Sequence, residues 1–296
     1  MHVYINSSLI PESEAKVSVF DHGFLYGDGV FETMRVYSGT VFMIEEHIQR
    51  LFRSASLIGL DIKRDKDSIR SAVYETISKN SLKDAYIRVT VSRGAGPVGL
   101  DPELCKEPTF IIIAEEFREY PKSYYDNGIK TIIAETKRNI KEAINPQIKS
   151  LNFLNNILAK IEAKKKNAYE ALMLNVEGCL AEGTISNLFF VLSQKEKAVL
   201  CTPSVDCGIL DGITRNIVLE LAKKHGIPAK EGKFKKEDIY RASEVFITNT
   251  TMEIMPVCAV DSVSYQTGTV AKLLHEAYKE NVKAYLSKSD TSSQLP

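Results

Sequence analysis

The spacing of apolar positions changes several times along the 296-residue chain, and each change marks an element. In residues 17–20, 30–37 and 41–43 apolar side chains recur at short spacing between Gly and Asp turns, which predicts strands. From 45 to 60 the spacing lengthens. Ile48, Leu51, Phe52, Ala55 and Ile58 then share one helical face, and a second helix is predicted over 66–79. In Ala85-Tyr86-Ile87-Arg88-Val89-Thr90-Val91 the alternation is strict, so a strand would carry Tyr86 and Arg88 on one face and Ile87, Val89 and Val91 on the other. Strands at 85–92 and 110–114 flank residues 93–102, which are too rich in Gly and Pro to join either and read as a lid. The pattern breaks around Tyr120-Pro121-Lys122-Ser123-Tyr124-Tyr125, and a strand at 129–134 opens a second domain. Further strands are expected at 171–176, 185–192, 199–202 and 244–248, with helices at 214–225 and 270–286. The division is an N-terminal domain over 1–120, a linker over 121–126, a larger domain over 127–286 carrying Lys149, and a polar tail over 287–296. Helices and strands mixed in both halves give an α+β or α/β class.

Charge narrows the partners. The 38 basic and 38 acidic residues cancel, and no run of like charge exceeds Lys164-Lys165-Lys166, so neither nucleic acid nor an anionic membrane is expected. A small neutral or zwitterionic ligand fits better. Met1-His2-Val3-Tyr4-Ile5-Asn6 lacks a basic region leading into an apolar stretch, and no window approaches ~18 apolar residues, so a cytoplasmic location is expected. Five scattered cysteines without a C-x-x-C pair argue against a disulfide framework and against a structural metal.

The chemistry concentrates in a few segments. In Asn145-Pro146-Gln147-Ile148-Lys149-Ser150-Leu151-Asn152-Phe153, Pro146 disfavours helix through Asn145. Leu151, Leu154, Ile157, Leu158 and Ile161 then recur at helical spacing, so Lys149 sits on an extended approach to an amphipathic helix. Packed backbone there can desolvate its amine and favour the neutral, carbonyl-trapping form. Glu182 stands at a glycine turn, Glu182-Gly183-Thr184, before a run of strand formers. Gly212-Ile213-Thr214 opens a helix whose first amides suit an anion, although Thr214 as a plain N-cap would fit equally. Arg50 projects beside an apolar helical face, one turn after His47, where it could fork onto an anion.

These segments, with Tyr26-Gly27-Asp28-Gly29-Val30-Phe31-Glu32, Tyr86-Ile87-Arg88, Thr248-Asn249-Thr250-Thr251 and Glu253-Ile254-Met255-Pro256-Val257, follow one another in an order that resembles the class IV aminotransferases. These are the fold-type IV pyridoxal-phosphate enzymes. The resemblance implies a two-domain fold like that of D-amino-acid aminotransferase and a homodimer or larger homo-oligomer. It implies that Lys149 anchors pyridoxal 5'-phosphate and shuttles the substrate proton, and that Glu182 keeps the ring nitrogen protonated. It gives the phosphate to Arg50, Ile213, Thr214 and Thr250, and the substrate to Tyr86, Arg88, Tyr26, Phe31 and Thr251, with Val98 and Leu100 as an apolar wall.

Within the family, Tyr86-Ile87-Arg88 looks like the branched-chain amino-acid aminotransferases, and Val98-Gly99-Leu100 replaces the Arg-x-His trap of the D-amino-acid enzymes. The expected reaction moves the amino group of a branched-chain L-amino acid to 2-oxoglutarate. The alternatives are an aminodeoxychorismate lyase of 4-aminobenzoate synthesis, a D-amino-acid aminotransferase, or, in another class, a non-catalytic vitamin-binding protein. Phe153 departs from the branched-chain pattern, which has tyrosine there. A lost hydrogen bond to a charged oxygen is worth about 1.5–3 kcal/mol. Thr184-Ile185-Ser186 also looks closer to the lyase and D-amino-acid branches.

Overall fold

A hairpin that the periodicity did not announce opens the computed structural model, which describes residues 1–194 and 197–292. In it β1 (His2–Ile5) runs antiparallel to β2 (Ser8–Pro11). Then come α1 (His22–Tyr26), β3 (Gly29–Tyr37), β4 (Thr40–Val41), α2 (Ile44–Leu57), α3 (Lys66–Lys79), β5 (Ala85–Ser92) and β6 (Thr109–Glu116). They form a six-stranded sheet in the order β2-β1-β6-β5-β3-β4. One face of it, including Met34, Val36, Ile87, Val89 and Ile112, packs on Ile48 and Leu51 of α2 and Ile69 and Val73 of α3. Residues 17–20 form no strand. Val19 and Phe20 are exposed there, and the turn ends at Asp21, whose carboxylate caps α1 by accepting from Gly23 N at 2.8 Å.

The chain divides into two compact units. The first comprises Met1–Arg118, Ile148–Asn152 and the residues from Tyr285 on; the second comprises Glu119–Gln147 and Phe153–Ala284. The expected division therefore shifts in three places. Residues 122–126 of the expected linker lie in helix α4 (Lys122–Asn127), within the second unit. The Lys149 segment goes with the first unit, because β4 covers only the far end of the β3 edge and the near end takes residues 149–151. The expected tail is helical as far as Ser292, in α8 (Thr269–Ser292), and its residues 293–296 lie outside the described part.

In the second unit α4 leads to β7 (Ile129–Ile133), α5 (Leu154–Lys165), β8 (Glu170–Leu174), β9 (Leu180–Gly183), β10 (Asn187–Gln194) and β11 (Lys197–Pro203). After these follow α6 (Ile213–Lys224), β12 (Ala229–Gly232), α7 (Lys236–Tyr240), β13 (Glu244–Asn249), β14 (Glu253–Val260) and β15 (Val263–Ser264), then α8. The sheet order is β12-β11-β10-β13-β14-β7-β8-β9, and β9 also pairs with β10, so the path closes on itself. Ile129, Leu172, Leu180, Phe190, Ile247 and Met255, one from each strand of the ring, belong to a single core cluster, as a closed barrel requires. The closing register is Asn187 opposite Glu182, which sets the acid at the seam.

Helix α5 reverses one expectation. Its apolar stripe, Leu154, Ile157, Leu158 and Ile161, is 43–68% exposed, while Asn156, Ala159 and Ala163 face inward. Small side chains let the helix sit close to β8, and the larger ones are left outside.

Candidate active site

In the first unit, Gly29 lets chain segments approach closely. A Cβ there would lie 2.6 Å from Val91 O and 2.7 Å from Leu151 Cδ1. Through that gap residues 149–151 bond to the β3 edge: Phe31 N donates to Lys149 O at 2.9 Å, and Leu151 N to Gly29 O at 2.9 Å. Lys149 N donates to Ser54 Oγ of α2 at 3.2 Å. The lysine is thus held at both its main-chain N–H and C=O, in the middle of a tight turn in which Ser150 N donates to Ile148 O at 2.9 Å, five residues before α5 begins. Its Nζ lies 4.5 Å from the centroid of Phe31, and the Arg88 guanidinium carbon lies 3.8 Å from the same ring. Phe31 therefore serves as a cation–π platform for both charges. Tyr86 and Arg88 are half-buried on one face of β5 and Ile87 and Val89 are buried on the other, as the alternation predicts.

Glu32 points to the opposite face from Phe31, into the apolar core, and is fully buried. Arg50 forks onto it, Nε to Oε1 at 2.6 Å and Nη2 to Oε2 at 2.9 Å, and His47 Nδ1 donates to Oε2 at 2.8 Å. His47, Arg50 and Ser54 fall at helical spacing, so α2 carries a polar stripe through an apolar surface. Burial alone would raise the Glu32 carboxyl. The Arg50 charge and its hydrogen bonds, with those of His47, override this and hold it well below the usual carboxylate range. Burial likewise pushes His47 down. Arg50 is thus one member of an ion-paired group, with Nε and one N–H of Nη2 in the fork to Glu32.

The expected lid is bonded to α1 and its approach. His22 N donates to Gly94 O at 2.9 Å, His22 Nε2 to Pro97 O at 3.0 Å, Gly96 N to Phe20 O at 3.2 Å, and Gly99 N to Tyr26 Oη at 3.2 Å. Arg93, at its base, uses four of its N–H groups on Asp28 and on the carbonyls of Ile58 and Gly59. Val98 and Leu100 stand 72% and 83% exposed at its tip, so they line no wall within the first unit.

The second unit brings the remaining residues together around the barrel seam. Glu182 is buried; its Oε1 accepts from Arg138 Nε at 2.7 Å, and its Oε2 from Leu210 N at 3.0 Å and Asn187 Nδ2 at 3.3 Å. Asn187 Nδ2 also donates to Leu210 O at 2.9 Å. Gly212, the N-cap of α6, would place a Cβ 1.9 Å from Asn187 Oδ1, so a larger residue would have to displace the Asn187 side chain. Gly212 has no side chain with which to cap the first turn of α6, which begins at Ile213 and Thr214; Asp211 accepts from Asn216 Nδ2 at 2.9 Å. Thr250 lies in the turn between β13 and β14. The next residue departs from its expected role: Thr251 N donates to Asn249 Oδ1 at 2.9 Å, and its hydroxyl meets Asn249 Oδ1 and Tyr120 Oη at 3.1 Å. That backbone amide is already engaged.

The model of the amino-transferase class IV family matches residues 29–260, more than half of the chain. The chain belongs to the class IV aminotransferases. This aminotransferase is 44% identical over 283 residues to a putative branched-chain-amino-acid aminotransferase of Methanocaldococcus jannaschii, covering 95% of this chain and 96% of that protein. It is 33% identical to the aminodeoxychorismate lyase of Bacillus subtilis, covering 95% and 94%, and 34% identical to a D-alanine aminotransferase of Bacillus licheniformis, covering 92% and 93%. Among solved structures it matches the Escherichia coli branched-chain amino acid aminotransferase with a TM-score of 0.90 at 32% identity, covering 94% and 93% of the two chains. A T.th. branched-chain amino acid aminotransferase with pyridoxamine 5'-phosphate matches with a TM-score of 0.89 at 30% identity, covering 94% and 93%.

Sequence reasoning assigned no role to Glu32, Ser54, Arg138 or Asn187. Glu32 left a readable trace in this aminotransferase: in the row Val30, Glu32, Met34, Val36 an acid interrupts an inward-facing series and demands a buried cation. Arg138 left none. It lies in a loop, and only the barrel closure explains why it meets Glu182.

Proposed function

We propose that this aminotransferase uses pyridoxal 5'-phosphate to move the amino group of a branched-chain L-amino acid to 2-oxoglutarate, as a cytoplasmic homodimer or larger homo-oligomer. The residues fit the cofactor. The first turn of α6 opened by Gly212, the Gly212 cradle and the buried Thr248 hydroxyl, which has no hydrogen-bond partner among the described residues, together suit a phosphorylated ring. When bound, the cofactor supplies an electron sink for a carbanion at the substrate Cα. Lys149 anchors it and carries the proton from that Cα. Glu182 accepts the hydrogen bond of the ring nitrogen. Arg50, Ile213, Thr214 and Thr250 hold the phosphate, and Phe31, Tyr86, Arg88 and Tyr26 orient the substrate.

One observation carries the choice of substrate. Residues 94–105 contain no basic side chain, and Arg93 beside them is committed to Asp28 and two carbonyls, so this loop has no charge with which to hold an anionic side chain or ring. Val98 and Leu100, brought against a site by a second copy of the chain, would favour aliphatic groups instead. Their exposure, with that of Phe24 at 73% and of the α5 stripe, supports assembly, since a second copy would cover them. Five free thiols support a reducing compartment. Aminodeoxychorismate lyase is the second reading, supported by Thr184-Ile185-Ser186 and by the 33% identity to a lyase.

The test is an amino-donor panel with both enantiomers of leucine, valine and alanine against 2-oxoglutarate, run beside aminodeoxychorismate without an acceptor. L-Leucine and L-valine are expected to turn over fastest. Dominant D-alanine turnover, or pyruvate released from aminodeoxychorismate, would overturn the assignment.

A further inference from the structure

Glu182 is held by a cation that no part of the proposed reaction uses. Arg138 reaches it from the loop after β7, where Arg138 N donates to Leu174 O at 2.9 Å and so ties the loop to the end of β8. The side chain is 9% exposed, and its Nε donates to Glu182 Oε1 at 2.7 Å, whereas Leu210 N and Asn187 Nδ2 donate to Oε2. A buried carboxylate needs at most hydrogen bonds to be satisfied; a guanidinium adds a charge.

That charge matters because an acid facing a ring nitrogen can share one proton in two ways. Either the nitrogen carries it beside a carboxylate, or the acid carries it beside a neutral ring. The total charge is the same. Desolvation favours the uncharged arrangement, and a fixed cation against the carboxylate favours the charged one. We infer that Arg138 is the positioning residue that decides this balance, holding Glu182 as an anion so that the proton stays on the ring nitrogen. Asn187 and Leu210 N orient the carboxylate, and Arg138 sets its charge. Loss of an adjacent opposite charge changes such a proton ratio by about 10- to 1000-fold.

The inference rests on the cofactor reading given above, and the two can fail separately. The protein is loaded with pyridoxal 5'-phosphate labelled with 15N in the ring, and the ring-nitrogen resonance is recorded for wild type, Arg138→Lys and Arg138→Gln. If wild type retains no labelled cofactor, the cofactor reading fails and this inference falls with it. If wild type shows a protonated nitrogen, Arg138→Lys should keep that signal, and Arg138→Gln, which donates a hydrogen bond without charge, should move it towards the unprotonated position. Single-turnover rates with L-leucine should fall ~10-fold or more in Arg138→Gln and recover in Arg138→Lys. A protonated resonance in Arg138→Gln, or equal losses in both variants with unchanged resonance, would show that Arg138 only braces the loop. Unfolding midpoints of the three proteins separate that bracing role, because a structural loss moves the midpoint and leaves the resonance alone.

Discussion

Replacing Glu32 with alanine is the sharpest test of the buried group in the first unit. The carboxylate accepts three hydrogen bonds between 2.6 and 2.9 Å from two side chains that are themselves almost fully buried. Summing charge-assisted bonds at about 1.5–3 kcal/mol each would overstate the loss, because the intact group already carries the desolvation of its ions. Removing one partner of a buried pair costs about 3–5 kcal/mol, since the surviving charge is left in the core. Glu32→Ala should therefore lower the stability of the cofactor-free protein by about 3–5 kcal/mol, read as a shift in the urea midpoint at constant slope. The double variant Glu32→Leu with Arg50→Met removes both charges and keeps volume, and it should recover most of the loss. A cost below about 1 kcal/mol for Glu32→Ala, or a double variant as unstable as the sum of the singles, would refute the view that Arg50 depends on Glu32 for its place.

Other outcomes follow from the same geometry. Glu32 is held below its ordinary 4.5, so its contribution is complete above about pH 4.5 and is lost as pH falls further. His47 is pushed below its ordinary 6.5, so the unfolded chain takes that proton first and stability declines from about pH 6.5 downward. Urea midpoints from about pH 7 to about pH 4 should show both stages, and His47→Gln should remove the upper one. Gly212→Ala forces Asn187 off Glu182 and Leu210 and should cost about 1–3 kcal/mol and weaken cofactor retention on dialysis; full retention would count against the cradle. Leu154→Asp with Ile157→Asp should shift sedimentation towards the monomer and remove the dependence of the unfolding midpoint on protein concentration, and a wild type that is already monomeric would remove the assembly reading. Leu100→Arg should lower turnover of L-leucine relative to L-glutamate as donor, and an unchanged ratio would free Leu100 of any role in selectivity.

Much of this molecule was legible in its sequence. The strict alternation at 85–91 gave the faces of β5 correctly, because a strand's period of two leaves each side chain one choice of side. The ordered segments around Lys149, Glu182, Gly212 and Thr250 were enough to identify the family, since each needs particular residue types at fixed spacing. What periodicity reports is which residues share a face; it is silent on what that face meets. The apolar stripe of α5 therefore looked like a core surface and lies outside, and residues 17–20 looked like a strand but end in a turn, with only a single bridge following at Asp21. Lys149 joined the first unit because the β3 edge had amides to satisfy and Gly29 left room, facts that belong to two distant segments at once. Arg50 found Glu32, and Arg138 found Glu182, for the same reason: a buried charge must be answered by another part of the chain, and only the folded structure decides which.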